Sequence, residues 1–348
     1  MLISLFAAMS MATNARIIDY NTDDGFKYKL NTEEKTATLS RYSSSAKEVC
    51  IPDRITYSEE TFTVTYLGNS CFYNCTSLTS INIPSSVTSF GAGCFNGCTS
   101  LTSINIPFSV TNFGNGCFQD CTSLTSINIP TSVTSLGHYC FSECSSLTSV
   151  DIPSSVTSLD WCFKDCTSLT SIDIPSSVTS MDKCFYGCTS LTSINIPSSV
   201  TSLDGCFTYC TALSTVNISS SVTSLDGCFI GCTSLTHIDI PSSVTNLGAN
   251  CFKDCTSLTS INIPSSVTNL GDSCFKNCTS LTSIDIPSSV TSLEEYCFAY
   301  CTSLTSIDIP SSVKKLKWKC FAHCTSFTSI NIPSSVTSLG FGCFQFCI

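Results

Sequence analysis

The sequence predicts a repeat solenoid, and three observations carry that prediction. The first is a unit, C-F-x-x-C-[TS]-[SA]-[LF]-[TS]-x-[IV]-[ND]-I. It begins at Cys71 and recurs with its first cysteine at 94, 117, 140, 162, 184, 206, 228, 251, 274, 297 and 320. A thirteenth, truncated copy runs from Cys343 to Ile348. The second is the period of 22–23 residues, too short for a unit to bury its own apolar face, so that neighbours must stack. The third is composition: charged residues are 11% of the chain, against about a quarter in ordinary domains, and Ser and Thr fill the polar positions.

Taken in order, residues 1–15 carry an apolar core from Leu2 to Met9 followed by small residues, with Ser10-Met11-Ala12 or Thr13-Asn14-Ala15 as cleavage patterns. This reads as a signal peptide, although no Lys or Arg precedes the apolar run. The alternative is an apolar N-terminus that packs on the first coil. Residues 16–67 hold no copy of the repeat and nine acidic residues. Phe26 to Leu30 alternates, Asn31 to Lys35 is a polar turn, and Thr36 to Leu39 alternates again, which predicts a β-hairpin. Val49-Cys50-Ile51-Pro52 and Phe62 to Leu67 foreshadow the repeat's own strands. A solenoid end exposes apolar side chains and strand edges, so 16–67 is read as an N-terminal cap.

From residue 68 to 348 the coil is laid out in columns. Leu78, Ile81 and Ile83 followed by Pro84 predict a short strand over Ser80 to Ile83, parallel to its neighbours and about 4.8 Å from them. Twelve such strands span roughly 55–60 Å. Val87 to Phe90 is a weaker echo and predicts a second extended side. Cys94, Phe95 and Cys98, at i, i+1 and i+4, fit one helical turn. Phenylalanine fills its column in all thirteen copies, and a proline ends each strand except at Ser219.

L-x-x-I-x-I-P, followed by S-S-V-T-S-[LF]-G and a Phe-x-x-Cys turn, resembles the BspA-like leucine-rich repeats of bacterial and protist surface proteins. The resemblance covers 68–348 and extends to the look of the preceding cap. It implies a right-handed leucine-rich-repeat solenoid with a parallel sheet on its concave side, and secreted or surface adhesins that bind host or matrix proteins. The family pattern has Ala where this chain has Cys94.

The 27 cysteines form thirteen C-x-x-x-C pairs plus Cys50. This spacing does not match zinc ribbons. Small buried thiols and disulfides between like columns about 5 Å apart both remain open.

The exposed strand column is Asn82, Asn105, Asn128, Asp151, Asp173, Asn195, Asn217, Asp239, Asn262, Asp285, Asp308 and Asn331. With the neighbouring serine column, broken by Thr215 and His237, it is a candidate concave binding face. The competing reading is a solubility face, because the ribbon lacks the aromatics and Arg that dominate hot spots. Four 22-residue coils carry Asp160, Asp182, Asp204 and Asp226, which either cap the following turn or hold Ca²⁺. Dropping one residue per coil there alters local curvature.

Variation gathers beside the Cys-Phe turn. Trp161, Tyr209, Tyr296, Tyr300 and Trp318 are candidate coil-specific contacts, and relaxed constraint at a surface loop is the competing account. Lys314, Lys315, Lys317 and Lys319 surround Trp318 in a basic-aromatic patch.

A net charge of −10 argues against nucleic-acid binding. No run of 18 apolar residues exists to span a bilayer. His138, His237 and His323 occupy unrelated columns, and no P-loop or GxGxxG occurs, so neither catalysis nor a cofactor is expected. The reading is a protein-binding module at the cell surface or outside the cell. An intracellular scaffold with reduced thiols is the alternative. The last coil carries no polar cap in the sequence, so a further expectation is either a piece of a longer array or copies that pair end to end through that coil.

Overall fold

The computed structural model describes residues 16–328 and 330–347, so the expected signal peptide lies outside the described residues. The chain opens with an antiparallel meander of β1 (Ile17–Asn21), β2 (Phe26–Asn31) and β3 (Thr36–Tyr42). Its alternation is that of a half-buried sheet: Phe26, Tyr28 and Leu30 are buried while Lys27 and Lys29 are exposed. Next come β4 (Glu48–Cys50), β5 (Arg54–Tyr57) and β6 (Glu60–Leu67), with β5 antiparallel and β3 parallel to β6.

From this point the pairing is parallel and runs in two ladders. β4 pairs β7 (Ser80–Asn82), placing Val49 opposite Ile81 and Cys50 opposite Asn82. β6 pairs β8 (Ser89–Phe90), placing Leu67 opposite Phe90. Residues 48–67 therefore already form an incomplete coil. On the Val-Thr-Ser-Leu side, β8 continues to β9 (Asn112–Phe113). On the Ile-Asn-Ile side lies β10 (Ser126–Asn128), while β9 continues to β11 (Ser135–Leu136). β10 pairs β12 (Ser149–Asp151), and β13 (Ser193–Asn195) pairs β14 (Thr215–Asn217). The second side resumes as β15 (Ser292–Leu293), β16 (Lys315–Leu316) and β17 (Ser338–Leu339). Single bridges, such as Ser202 with Ser224 and Asp239 with Asn262, hold register between them.

The phenylalanine column is a stack of nearly parallel rings, from Phe72 on Phe95 at 5.3 Å to Phe321 on Phe344 at 5.5 Å. Leu, Ile, Val and cysteine columns pack around it, and most of these side chains are wholly buried. Burial of one large apolar side chain stabilises by about 1.5–3 kcal/mol, so the spine is a main source of stability.

The Cys-Phe-x-x-Cys segment is not a helical turn, and no helix occurs among the described residues. The segment is a run of turns in which the residue before each cysteine is left-handed, as Gly93 (φ 59) and Gly97 (φ 74) are. Alternate N–H groups therefore point along the stack: Gly93, Phe95 and Gly97 donate to Asn115, Cys117 and Gln119 of the next coil. A helical turn closes its hydrogen bonds on itself. These turns alternate: Cys94, Asn96 and Cys98 close onto Gly91, Gly93 and Phe95 of their own coil, and only the residues alternating with them donate to the neighbour.

All the cysteines are free thiols. From Cys98 onward, the second of each pair has a polar role as well as an apolar one. Cys98 Sγ donates to the Phe72 carbonyl of the preceding coil at 3.2 Å, and the bond repeats up the column to Cys347 on Phe321. Burial pushes the Cys301 thiol up to about 12, so the neutral, unreactive form prevails.

Candidate functional site

All twelve members of the Asn/Asp strand column, from Asn82 to Asn331, are exposed. The pleat dictates this, since Ile81 and Ile83 on either side of Asn82 turn into the core. Asn195 and Asn217 link their side-chain amides across coils. Asp151, Asp173, Asp239, Asp285 and Asp308 make the face acidic, with no Lys or Arg in the column. It is a regular ribbon, and aromatic side chains are missing from it.

The turn edge is different. Each coil places two left-handed residues there, one before each cysteine. Sibling coils often use Gly at these positions, which accepts the conformation without strain. Yet Tyr139, Trp161 and Tyr296 occupy the first column, and Tyr209 and Tyr300 the second, with φ between 54° and 64°. Bulky side chains there are conformational outliers. Four of the five coil-specific contacts predicted from sequence thus sit on strained backbone. Trp318 does not; its neighbour Lys319 takes the left-handed position.

These aromatics form two clusters. In the first, Tyr139 lies 5.2 Å from Trp161, Lys183 Nζ sits 4.8 Å over the Trp161 ring, and Tyr186 meets Tyr209 edge-on at 5.6 Å. Trp161 and Tyr209 therefore share one groove, whereas Tyr186 and Lys183 were missed in the sequence. In the second cluster, Tyr296 meets Trp318 at 5.1 Å and Tyr300 stacks on His323 at 4.4 Å. Lys276 Nζ lies over both Tyr296 and Tyr300. The lysine patch around Trp318 is partly neutralised: Lys317 pairs with Glu294, and Lys319 lies over the Trp318 ring. The concave ribbon and the two clusters occupy different segments of each coil, so the sequence's two candidate sets are not one site.

The aspartate column does not cap its own turns. Asp160 Oδ1 accepts the Asp182 N–H of the next coil at 2.9 Å together with the Ser180 hydroxyl, and Asp204 repeats this with Asp226 and Ser224. Among the described residues, no group of three or more His, Cys, Asp and Glu is placed to hold a metal ion. No helix there is long and apolar enough to cross a membrane.

No curated protein matches the sequence. Among solved structures, a leucine-rich cell surface protein from Faecalibacterium prausnitzii is 33% identical with a TM-score of 0.72, over 95% of this chain and 92% of that one. A leucine-rich repeat protein from Bacteroides ovatus is 28% identical with a TM-score of 0.73, over 95% and 93% of the two chains. One from Eubacterium ventriosum is 26% identical with a TM-score of 0.61, over 96% of each. Leucine-rich repeats are typically scaffolds for interaction and not enzymes. The BspA type leucine rich repeat region, in six copies, matches residues 42–160, 159–228 and 225–348, and the chain belongs to that family.

Proposed function

We propose that the chain is a non-enzymatic interaction and adhesion module, secreted or held at the cell surface, that binds a protein partner such as a host or matrix protein. One observation carries this reading: aromatic side chains, exposed at Tyr139, Tyr209 and Tyr300 and half-buried at Trp161 and Tyr296, stand at left-handed positions where sibling coils use glycine. A left-handed L-residue costs about 1–2 kcal/mol, so stability alone favours glycine at Trp161 and Tyr209. Residues that oppose stability at an exposed edge mark function. Tyr296, Tyr300 and Trp318 extend the same edge, and the Asn/Asp ribbon adds a broad acidic face. The cap reading of 16–67 fits this module as its closed end.

The test replaces Trp161 and Tyr209 with Gly and measures attachment to a panel of immobilised matrix proteins, with thermal unfolding alongside. Melting that is raised, or at least not lowered, together with lost attachment is expected. Attachment that persists in the Gly variant, and also after the Asn/Asp ribbon is charge-reversed, sinks the reading. Surface location is tested by intact mass, where loss of about 12–15 N-terminal residues is expected. Full retention, with every thiol reduced, favours the intracellular scaffold instead.

A second reading, pairing of copies, rests on the last coil, where Leu339, Phe341 and Phe346 are 57%, 82% and 59% exposed. Light scattering across a concentration series tests it, and a strictly monomeric chain at high concentration overturns it.

A further inference from the structure

A groove of about 640 Å³ runs along the turn edge across the 22-residue coils, and the sequence of one column creates it. The residue before the first cysteine is Trp161, then Lys183, in two successive coils; in the next two it is Gly205 and Gly227. The backbone keeps the same left-handed conformation throughout, with φ of 58°, 49°, 60° and 59°. Losing two side chains without losing the fold leaves a trough. Its floor is satisfied, because Thr208 Oγ1 donates to the Gly227 carbonyl at 2.9 Å. One wall is aromatic, from Tyr186 and Tyr209, and the other is acidic, from Asp182, Asp204 and Asp226.

The charge of the trough names its occupant. Three carboxylates line the groove with one ammonium, Lys183, which already lies over the Trp161 ring at the trough's head, while Lys164, paired with Asp165, lies over the Tyr186 ring at 5.7 Å. The chain thus shows, with its own side chain, how this wall holds a cation. The Lys183 methylenes lie over Gly205, whose Cβ position is 2.8 Å from Lys183 Cγ, and beyond them the combination of ring and carboxylate is open at Gly227, which supplies no side chain.

We infer that this groove receives arginine side chains from an extended, basic segment of a protein partner. A guanidinium stacks on exposed Tyr209 through its flat face and bonds the carboxylates through its edge, which an ammonium does less well. The inference rests on the protein-binding reading above and specifies where and what that binding selects. Burial, reinforced by Asp160 and Asp204, raises the pKa of Asp182, and an incoming cation relieves that cost.

The experiment uses the full chain with Trp318→Phe, which leaves Trp161 as the single tryptophan. A capped Gly-Arg-Gly-Arg peptide is titrated while Trp161 fluorescence is read. The controls are the same peptide with citrulline, a neutral isostere, and a maltotetraose titration. Saturable binding of the arginine peptide is expected, weakening as salt rises and absent with citrulline. Asp182→Asn with Asp226→Asn keeps the shape of the wall and lowers affinity about tenfold or more. Gly227→Tyr fills the trough; the added Cβ meets only Ile230, at 3.4 Å, and Tyr139 shows that the column accepts tyrosine. That variant abolishes binding. Equal binding of the citrulline peptide, or unchanged binding in both variants, overturns the inference. Maltotetraose binding in place of the peptide also overturns it, in favour of a glycan groove. If the peptide fails while matrix attachment still depends on Trp161 and Tyr209, this inference falls and the protein-binding reading stands.

Discussion

In several 23-residue coils the residue after the Leu or Phe of the second ladder donates its N–H to a carbonyl of the preceding coil. Gly91 bonds Leu67, Gly114 bonds Phe90 and Gly340 bonds Leu316 in this way, at 2.7–2.9 Å. Gly248 and Gly271 instead bond the side chains of Asn246 and Asn269 in their own coils. In the 22-residue coils the equivalent residue is aspartate, and the donors find different acceptors. The Asp182 and Asp226 amides bond the carboxylates of Asp160 and Asp204. The Asp160 and Asp204 amides face the hydroxyls of Ser158 and Ser202 in their own coils. In two of the four short coils an aspartate side chain of the preceding coil thus reaches forward and accepts this N–H in place of a carbonyl.

The substitution restores the bond without restoring the spacing. Rings of the phenylalanine spine stand 5.3–5.5 Å apart in the flanking coils, as in Phe95 with Phe118 and Phe252 with Phe275. Between Phe163 and Phe229 the separations rise to 5.8, 6.0 and 5.8 Å. The hydrogen bonds beneath them lengthen together: Phe163, Phe185 and Phe207 donate at 3.0–3.1 Å, against 2.7–2.8 Å for Phe72, Phe95 and Phe118. The turn edge is spread in the short coils. The same coils carry the groove.

The largest test of this difference removes a ring. Phe95→Ala and Phe185→Ala each leave a cavity, and such changes cost about 3–5 kcal/mol. Phe95 has ring neighbours at 5.3 Å on both sides and Phe90 edge-on at 5.5 Å, whereas Phe185 has neighbours at 5.8 and 6.0 Å alone. Denaturant unfolding should therefore show Phe95→Ala as the costlier change. Equal losses would mean that the wider spacing carries no energetic weight.

Next in size is the replaced acceptor. Asp204→Ala removes the acceptor of the Asp226 amide and the Ser224 hydroxyl, and at this water-accessible position the lost hydrogen bonds cost about 0.5–1.5 kcal/mol. Asp204→Asn keeps an oxygen in place and should cost less. Hydrogen exchange at Asp226 reads the bond directly, and an Ala variant as well protected as wild type would contradict the substitution account.

A smaller effect tests local opening. Thiols react as thiolates, and burial holds these in the neutral form, so alkylation waits for a coil to open. Pulse alkylation with peptide mapping should label exposed Cys50 first, then Cys206 and Cys210 of the short coils ahead of Cys94 and Cys98. Uniform labelling along the array would show that the short coils open no sooner than the rest.

The repeat, its columns and the phenylalanine spine were legible because one residue type recurs at one period. The hairpin over Phe26 to Leu39 was legible from alternation. The helical turn was misread because Cys94, Phe95 and Cys98 share the spacing of a helix face, while backbone handedness at Gly97 leaves no mark on that spacing. A mark did exist in the column itself: Asn74, Gly97, Asp120, Gly187 and Asn277 are the residues that tolerate a left-handed backbone. The groove was harder to see. It needs Trp161 from one column, Tyr186 from another a coil later, and the absence of side chains at Gly205 and Gly227. The thiol bonds to phenylalanine carbonyls were hidden for a similar reason, since side-chain direction decides them and spacing does not.

The smallest expected effect bears on why the aspartates are stacked at all. Burial is the first cause of Asp182's raised pKa, with Lys183 opposing it and then Asp160 and Asp204 adding to it. A carboxyl whose folded pKa lies above its unfolded value contributes stability below the unfolded pKa. That contribution is lost as pH rises through the folded one. At neutral pH the ionised Asp182 is therefore a cost that the short coils carry. Asp182→Asn should raise the melting temperature slightly at pH 7 and leave it unchanged well below the ordinary carboxylate pKa of about 4. A gain confined to neutral pH would place the penalty on charge and would fit a groove kept acidic for a cationic partner. A loss at neutral pH would mean that the ionised form has a stabilising contact within the fold, and the acidic wall would then be structural.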